Sequence, residues 1–168
     1  MILSYLHTSP HIAPSAWVAP SAEVIGDVEI GENSSVWFQC VVRGDVFPIR
    51  IGARTNIQDH SVLHVTHDRY ATVLQDDVTV GHRVVLHGCT IESGALIGIG
   101  AIVLDRAVVG EGALVGAGAL VTPATRIPPG MVAMGSPAKV VREVTDAERQ
   151  WMQESARNYV TYARNYAG

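Results

Sequence analysis

The 168-residue chain is 48% hydrophobic and only 17% charged, the composition of a single folded domain rather than a disordered segment. Its formal net charge of −4 and sequence pI near 5.9 argue against nucleic acid as a main partner. The opening Met1-Ile2-Leu3-Ser4-Tyr5-Leu6-His7 lacks the basic start and apolar run of a secretory signal, and no stretch approaches the roughly 18 apolar residues of a membrane span, so a cytoplasmic location is expected.

From Ile12 onward an aliphatic residue recurs at every sixth position. The first block is Ile12, Val18, Val24, Ile30, Val36 and Val42; Ile51, Ile57 and Leu63 follow, then Leu74, Val80 and Leu86. The last block runs Ile91, Ile97, Val103, Val109, Val115, Val121 and Ile127. Four places after each aliphatic sits a mostly small residue, such as Ala16, Ala22, Ser34, Ala95, Ala101, Ala107, Ala113 or Ala119. A helix repeats at about 3.6 residues and a plain strand at about 2, so a sustained six fits neither alone. It fits a short strand and a tight corner, repeated on each side of a triangle, with the aliphatic residue inward. Gly81, Gly98, Gly110 and Gly116 are assigned to the turns. The expected fold class is therefore all-β, a parallel β-helix over residues 12–138 of a single domain spanning 1–168. A β-sandwich would instead show strands at irregular spacings of roughly 8–12 residues. Cys40 and Cys89 both fall inside the repeat and are expected to be reduced.

Residues one coil apart should stack at about 4.8 Å. The phase slips where three residues are added around Phe47-Pro48-Ile49, where five are added at Arg69 to Val73, and where one is missing between Leu86 and Ile91. Insertions in a solenoid become loops on one face, often the binding face. Beyond the coils, Thr145-Asp146-Ala147-Glu148 reads as a capping box, and Met152, Ala156, Tyr159, Ala163 and Tyr166 mark one apolar face. A helix over residues 145–166 is expected to lie along the coils.

Five of the seven histidines lie between positions 60 and 87, around the slips. The hexads starting at Leu63 and Leu86 occupy the same side of successive coils, so His64 and His87, each directly after its inward aliphatic, should point outward and stack. Two imidazoles at strand spacing suit two ligands of one metal ion. Zinc takes four ligands, and catalytic sites keep one position open. His82 lies across a corner and cannot easily join the same ion within one chain, but in a trimer it could reach the pair on a neighbour. The same count puts Arg43 below His64 and Asp59 one coil below His82, with Gln58 beside the open metal position. Asp59 either fixes the His82 tautomer or pairs with an arginine across the interface. His67 and Asp68 are equally readable as loop residues or proton carriers, and His7, His11 and His60 as solvated surface. Tyr159 is more often a packing residue than a catalytic one.

The segments Val42-Arg43-Gly44-Asp45, Thr55-Asn56-Ile57-Gln58-Asp59, Leu63-His64-Val65, Thr79-Val80-Gly81-His82 and Leu86-His87-Gly88-Cys89-Thr90 resemble the γ-class carbonic anhydrase family, especially its short bacterial members. The ending Gly135-Ser136-Pro137-Ala138-Lys139 is similar too. The resemblance implies a left-handed coil and a homotrimer with a metal ion at each interface, held by His64 and His87 of one subunit and His82 of the next. The ion would be Zn2+, with Fe2+ or Co2+ as alternatives. Metal-bound hydroxide would attack carbon dioxide to give bicarbonate. Gln58 would orient it, Arg43 and Asp59 would pair across the interface, and Asp45 would support them.

Two departures from the family pattern stand out. Val46 follows Asp45 where the archetype has glutamate, and the loop Arg69-Tyr70-Ala71-Thr72-Val73 has no carboxylate. Proton export then falls to His67, Asp68 or Tyr159 with buffer. Two rival readings share the fold: an acyltransferase using coenzyme A thioesters, and a non-catalytic trimeric metal-binding scaffold.

Overall fold

The computed structural model describes all 168 residues. It is a parallel β-solenoid of about seven turns closed by one C-terminal helix. Every inward aliphatic expected from the period is packed into one continuous column, with Val24, Val42, Leu63, Leu86 and Val103 fully buried on one side. Burying a Leu, Ile or Val side chain contributes about 1.5–3 kcal/mol each, so this column is the main source of stability.

Three faces result. The first stacks Val24, Val42, Leu63, Leu86, Val103 and Val121 in register. The second stacks Ile30, Ile51, Leu74, Ile91, Val109 and Ile127. The third stacks Val18, Val36, Ile57, Val80, Ile97, Val115 and Ala133. The long strands Glu23–Ile30 and Val41–Ile51 bend across the corner between the first two faces. Two further details lie outside the periodic reading. Ile2–Leu3 already pairs in parallel with Val24 and Ile25. At the other end, Met131–Gly135 and Ala138–Glu143 form an antiparallel hairpin.

The turns are made differently from the expectation. The left-handed residue sits three places after most of the inward aliphatics, at Asn33, Arg54, His60, Asp77, Arg83, Arg106 and several glycines, with φ between 54° and 69°. Gly81, Gly98, Gly110 and Gly116 are not these turn residues. A side chain on Gly98 would sit 2.6 Å from the Ala117 nitrogen and 2.7 Å from the Val115 oxygen, so this glycine is there to let the next coil approach. The corners are bonded along the stack as well, for example Arg83 N–H to Asp59 O at 2.9 Å and Gly100 N–H to His82 O at 2.8 Å.

The helix spans Asp146–Ala167, with Thr145 as N-cap and the capping box with Glu148 formed. Its 22 residues cover about 33 Å, close to the rise of the seven-strand third face on which it lies. Met152 packs with Leu96 and Val132 near its start. Near its end, Tyr166 meets Trp17 and Phe38 at ring distances of 5.3 and 5.5 Å. The helix thus covers the third face and leaves the first uncovered. There the outward residues include Val62 and Ile102, each 37% exposed. No helix is long and apolar enough to cross a membrane.

Candidate metal centre

His64 and His87 end the strands Val62–His64 and Val85–His87, which pair in parallel with these two residues opposite each other. Each follows a buried leucine, so pleating turns both rings outward, where they are 21% and 33% exposed. The rings lie 5.2 Å apart, and His64 Nδ1 faces His87 Nε2 across 3.2 Å.

Each ring is held from its other side by a carboxylate. His64 Nε2 is 3.0 Å from Asp45 Oδ1, and His87 Nδ1 is 2.7 Å from Asp105 Oδ1. An ionised carboxylate only accepts, so these contacts require the imidazole N–H to sit on the carboxylate side. In two neutral imidazoles the facing nitrogens then carry lone pairs, directed at one another. Such an arrangement repels unless a cation or proton lies between. Two nitrogens bound to a tetrahedral zinc, each roughly 2.0–2.1 Å from it, stand about 3.3 Å apart. The observed 3.2 Å fits that edge, and the donor set suits a divalent ion of this kind.

Both carboxyls are held below the usual range. Burial opposes ionisation of Asp45, but hydrogen bonds from Arg43 and His64 outweigh it. For Asp105 burial is likewise outweighed, here by His87 and the Thr66 hydroxyl at 2.8 Å.

His82 stands elsewhere, at the corner between the third and first faces, with Nδ1 2.8 Å from Asp59 Oδ2. Of the two roles left open for Asp59, the single chain displays the contact with His82, while Arg43 is paired with Asp45. No trio of His, Cys, Asp and Glu side chains within one chain converges as a metal shell. Gln58 is buried and donates from Nε2 to Asn56 Oδ1 at 3.1 Å. Beside it, a cavity of about 280 Å³ is lined by Gly81, Gly98, Ile99 and Trp151. Tyr159 packs edge-on against Trp37 at 5.2 Å and shares a second cavity with Asp59. Burial, and then the charges of Asp59 and Tyr162, push its phenol up, so it remains protonated at neutral pH. His67 and Asp68 pair with each other at 2.9 Å on the exposed turn that leads into the five-residue insertion.

Sequence reasoning missed Asp105. A signal was present: Asp105 comes two residues after the inward Val103, one coil above Gly88, and so neighbours the histidine column. Counting strand positions alone does not show that its side chain turns back toward the coil below.

The description "Bacterial transferase hexapeptide (six repeats)" matches residues 88–123. The chain is 49% identical to a carbonic anhydrase of Geobacillus kaustophilus over 99% of this chain and 91% of that protein. It is 46% identical to the mitochondrial γ carbonic anhydrase 2 of Arabidopsis thaliana over 99% of this chain, spanning 62% of that longer protein. A solved Bacillus cereus structure described as a putative acetyltransferase superposes with a TM-score of 0.97 at 49% identity, covering 99% of this chain and 96% of that one.

Proposed function

Because the chain belongs to the γ-class carbonic anhydrase-like family of hexapeptide β-helices, we propose that it hydrates carbon dioxide reversibly to bicarbonate at metal sites shared between the subunits of a homotrimer. The observation that carries this reading is the pair of imidazole nitrogens facing each other at 3.2 Å with both outer N–H groups committed to carboxylates.

His64 and His87 of one subunit and His82 of the next would hold the ion, zinc or alternatively iron or cobalt. When bound, it supplies Lewis acidity that lowers the pKa of water to near neutrality. The chain's own groups do the rest. Asp45, Asp59 and Asp105 keep the imidazoles in fixed tautomers. The Gln58 amide, anchored on Asn56, orients the attacking oxygen. Arg43, tied to Asp45 and with a side chain still 42% exposed, is available to a carboxylate across the interface. Hydration also releases a proton, and the exposed His67–Asp68 pair is its carrier to buffer. Tyr159, a neutral phenol, serves as a hydrogen-bond donor beside Asp59 rather than as a base.

Support for the trimer comes from the first face. Val62 and Ile102 lie exposed on it, and the histidine pair and His82 stand at its opposite edges. Packing three such faces about an axis carries one chain's His82 toward the next chain's pair. A cytoplasmic location belongs to the same reading, supported by two free buried cysteines.

Mixed trimers test the shared site. His82→Ala and His64→Ala chains should each bind no zinc alone. Refolded together, a trimer of both types regains one intact site of three, with zinc and hydration activity in that proportion. Hybrids as empty as the parents would overturn the shared site. The rival acyltransferase reading would be favoured by coenzyme A-dependent acetyl transfer that survives chelation.

A further inference from the structure

His87 ends its strand one residue before Gly88, which adopts φ +56°. One coil above, Arg106 N–H donates to Gly88 O at 2.7 Å, and this places Asp105 directly over the glycine. The Asp105 side chain turns down into the space a side chain at Gly88 would fill. A Cβ there would come closer than 3.0 Å to Asp105 Oδ1 and would stand 3.0 Å from the Tyr70 Cβ. The carboxylate reaches two groups at once: Oδ1 meets His87 Nδ1 at 2.7 Å, and Oδ2 accepts from the Thr66 hydroxyl at 2.8 Å. Thr66 lies three residues before the five-residue insertion and forms a bridge to Tyr70 within it. Gly88 N–H is itself held by the Thr72 hydroxyl at 2.8 Å, which fixes the backbone under the ring.

We infer that Asp105, oriented by Thr66 and admitted by the missing side chain of Gly88, is a positioning residue that locks His87 with its proton on Nδ1 and its Nε2 lone pair aimed at His64. Free neutral imidazole prefers the opposite tautomer, with the proton on Nε2, which would cancel the donor that faces His64. A carboxylate on Nδ1 reverses that preference and raises the basicity of the remaining nitrogen. The insertion is tied to the site through this: Thr66, which bridges to Tyr70 of the insertion, supplies the hydroxyl that orients the carboxylate. As a statement about metal affinity the inference rests on the metal-site reading above; as a statement about the tautomer it does not.

The test uses the full chain with 15N-labelled histidine, comparing the wild type with Asp105→Ala, Asp105→Asn and the exposed-carboxylate control Glu111→Gln. In zinc-free protein at pH 8, ring nitrogen shifts should report His87 protonated on Nδ1 in the wild type and control, and mainly on Nε2 in Asp105→Ala. Zinc competition against a coloured chelator should show affinity about 10–100-fold weaker in Asp105→Ala, with Asp105→Asn in between. Should the alanine variant fail to fold, the isosteric asparagine variant carries both measurements, with a loss of several fold expected. An unchanged tautomer, or affinity within twofold of wild type in a folded variant, overturns the inference. A wild type that binds no zinc would overturn the metal-site reading instead, and the ring shifts would still decide whether Asp105 holds His87.

Discussion

His64 Nδ1 and His87 Nε2 face each other across 3.2 Å, one coil apart, with no N–H left to place between them once Asp45 and Asp105 have taken theirs. On the function proposed above, this pair receives the metal ion. Removing bound metal with a chelator should abolish carbon dioxide hydration, and zinc or cobalt should restore it, as stopped-flow rates with metal analysis would record. His64→Ala should bring zinc content to background while circular dichroism stays unchanged. Full hydration activity in demonstrably metal-free protein would end the reading.

The two cysteines should be chemically silent. Burial, with the nearby Asp59 charge adding to it, pushes the Cys40 thiol up to about 11. Burial does the same for Cys89, up to about 12, with Asp105 adding. At pH 8 both remain thiols, and both are shielded. A coloured disulfide reagent should label neither in the native protein and both after denaturation; rapid labelling of the folded chain would contradict the packing.

Acid should act on the helix start only at low pH. Hydrogen bonds from Arg142 and from the backbone and hydroxyl of Thr145 lower the Glu148 carboxyl from 4.5 to about 2. A lowered folded-state pKa means that this tie is fully present above pH 4.5 and lost as the pH falls through about 2. Glu148→Gln should remove that share of the acid dependence in a helical circular dichroism titration. Thr145→Ala, which deletes the cap, should cost about 1 kcal/mol in urea unfolding.

Close stacking of the coils should make Gly98 less replaceable than a turn glycine. A Cβ at Gly98 meets the next coil's backbone at 2.6 Å, whereas one at Gly118 meets nothing within 4 Å and suffers only from its φ of +65°. Gly118→Ala should cost about 1–2 kcal/mol. Gly98→Ala should cost more, because a backbone neighbour cannot rotate away. Thermal melts of the two variants giving the opposite order would show that the coils can separate.

The period of six determined by itself which residues face inward, because side-chain direction in a strand follows position alone. Counting residues across the insertions was then enough to stack His64 under His87 and Asp59 under His82, as the register has it. The helix and its cap were equally legible, since Thr145, Glu148 and the apolar face are local signals. What only the tertiary structure decided lies at the corners. There the backbone leaves the strand, and a side chain's direction depends on φ and on the room left by the coil next to it. Hence the left-handed turn residues lie two places beyond Gly81, Gly98, Gly110 and Gly116, and the contact of Asp105 with His87 is not legible from the repeat although one coil separates them. Periodicity specifies the faces of this protein, whereas the carboxylate each histidine meets is set by the space at its corner, such as the gap that Gly88 leaves open.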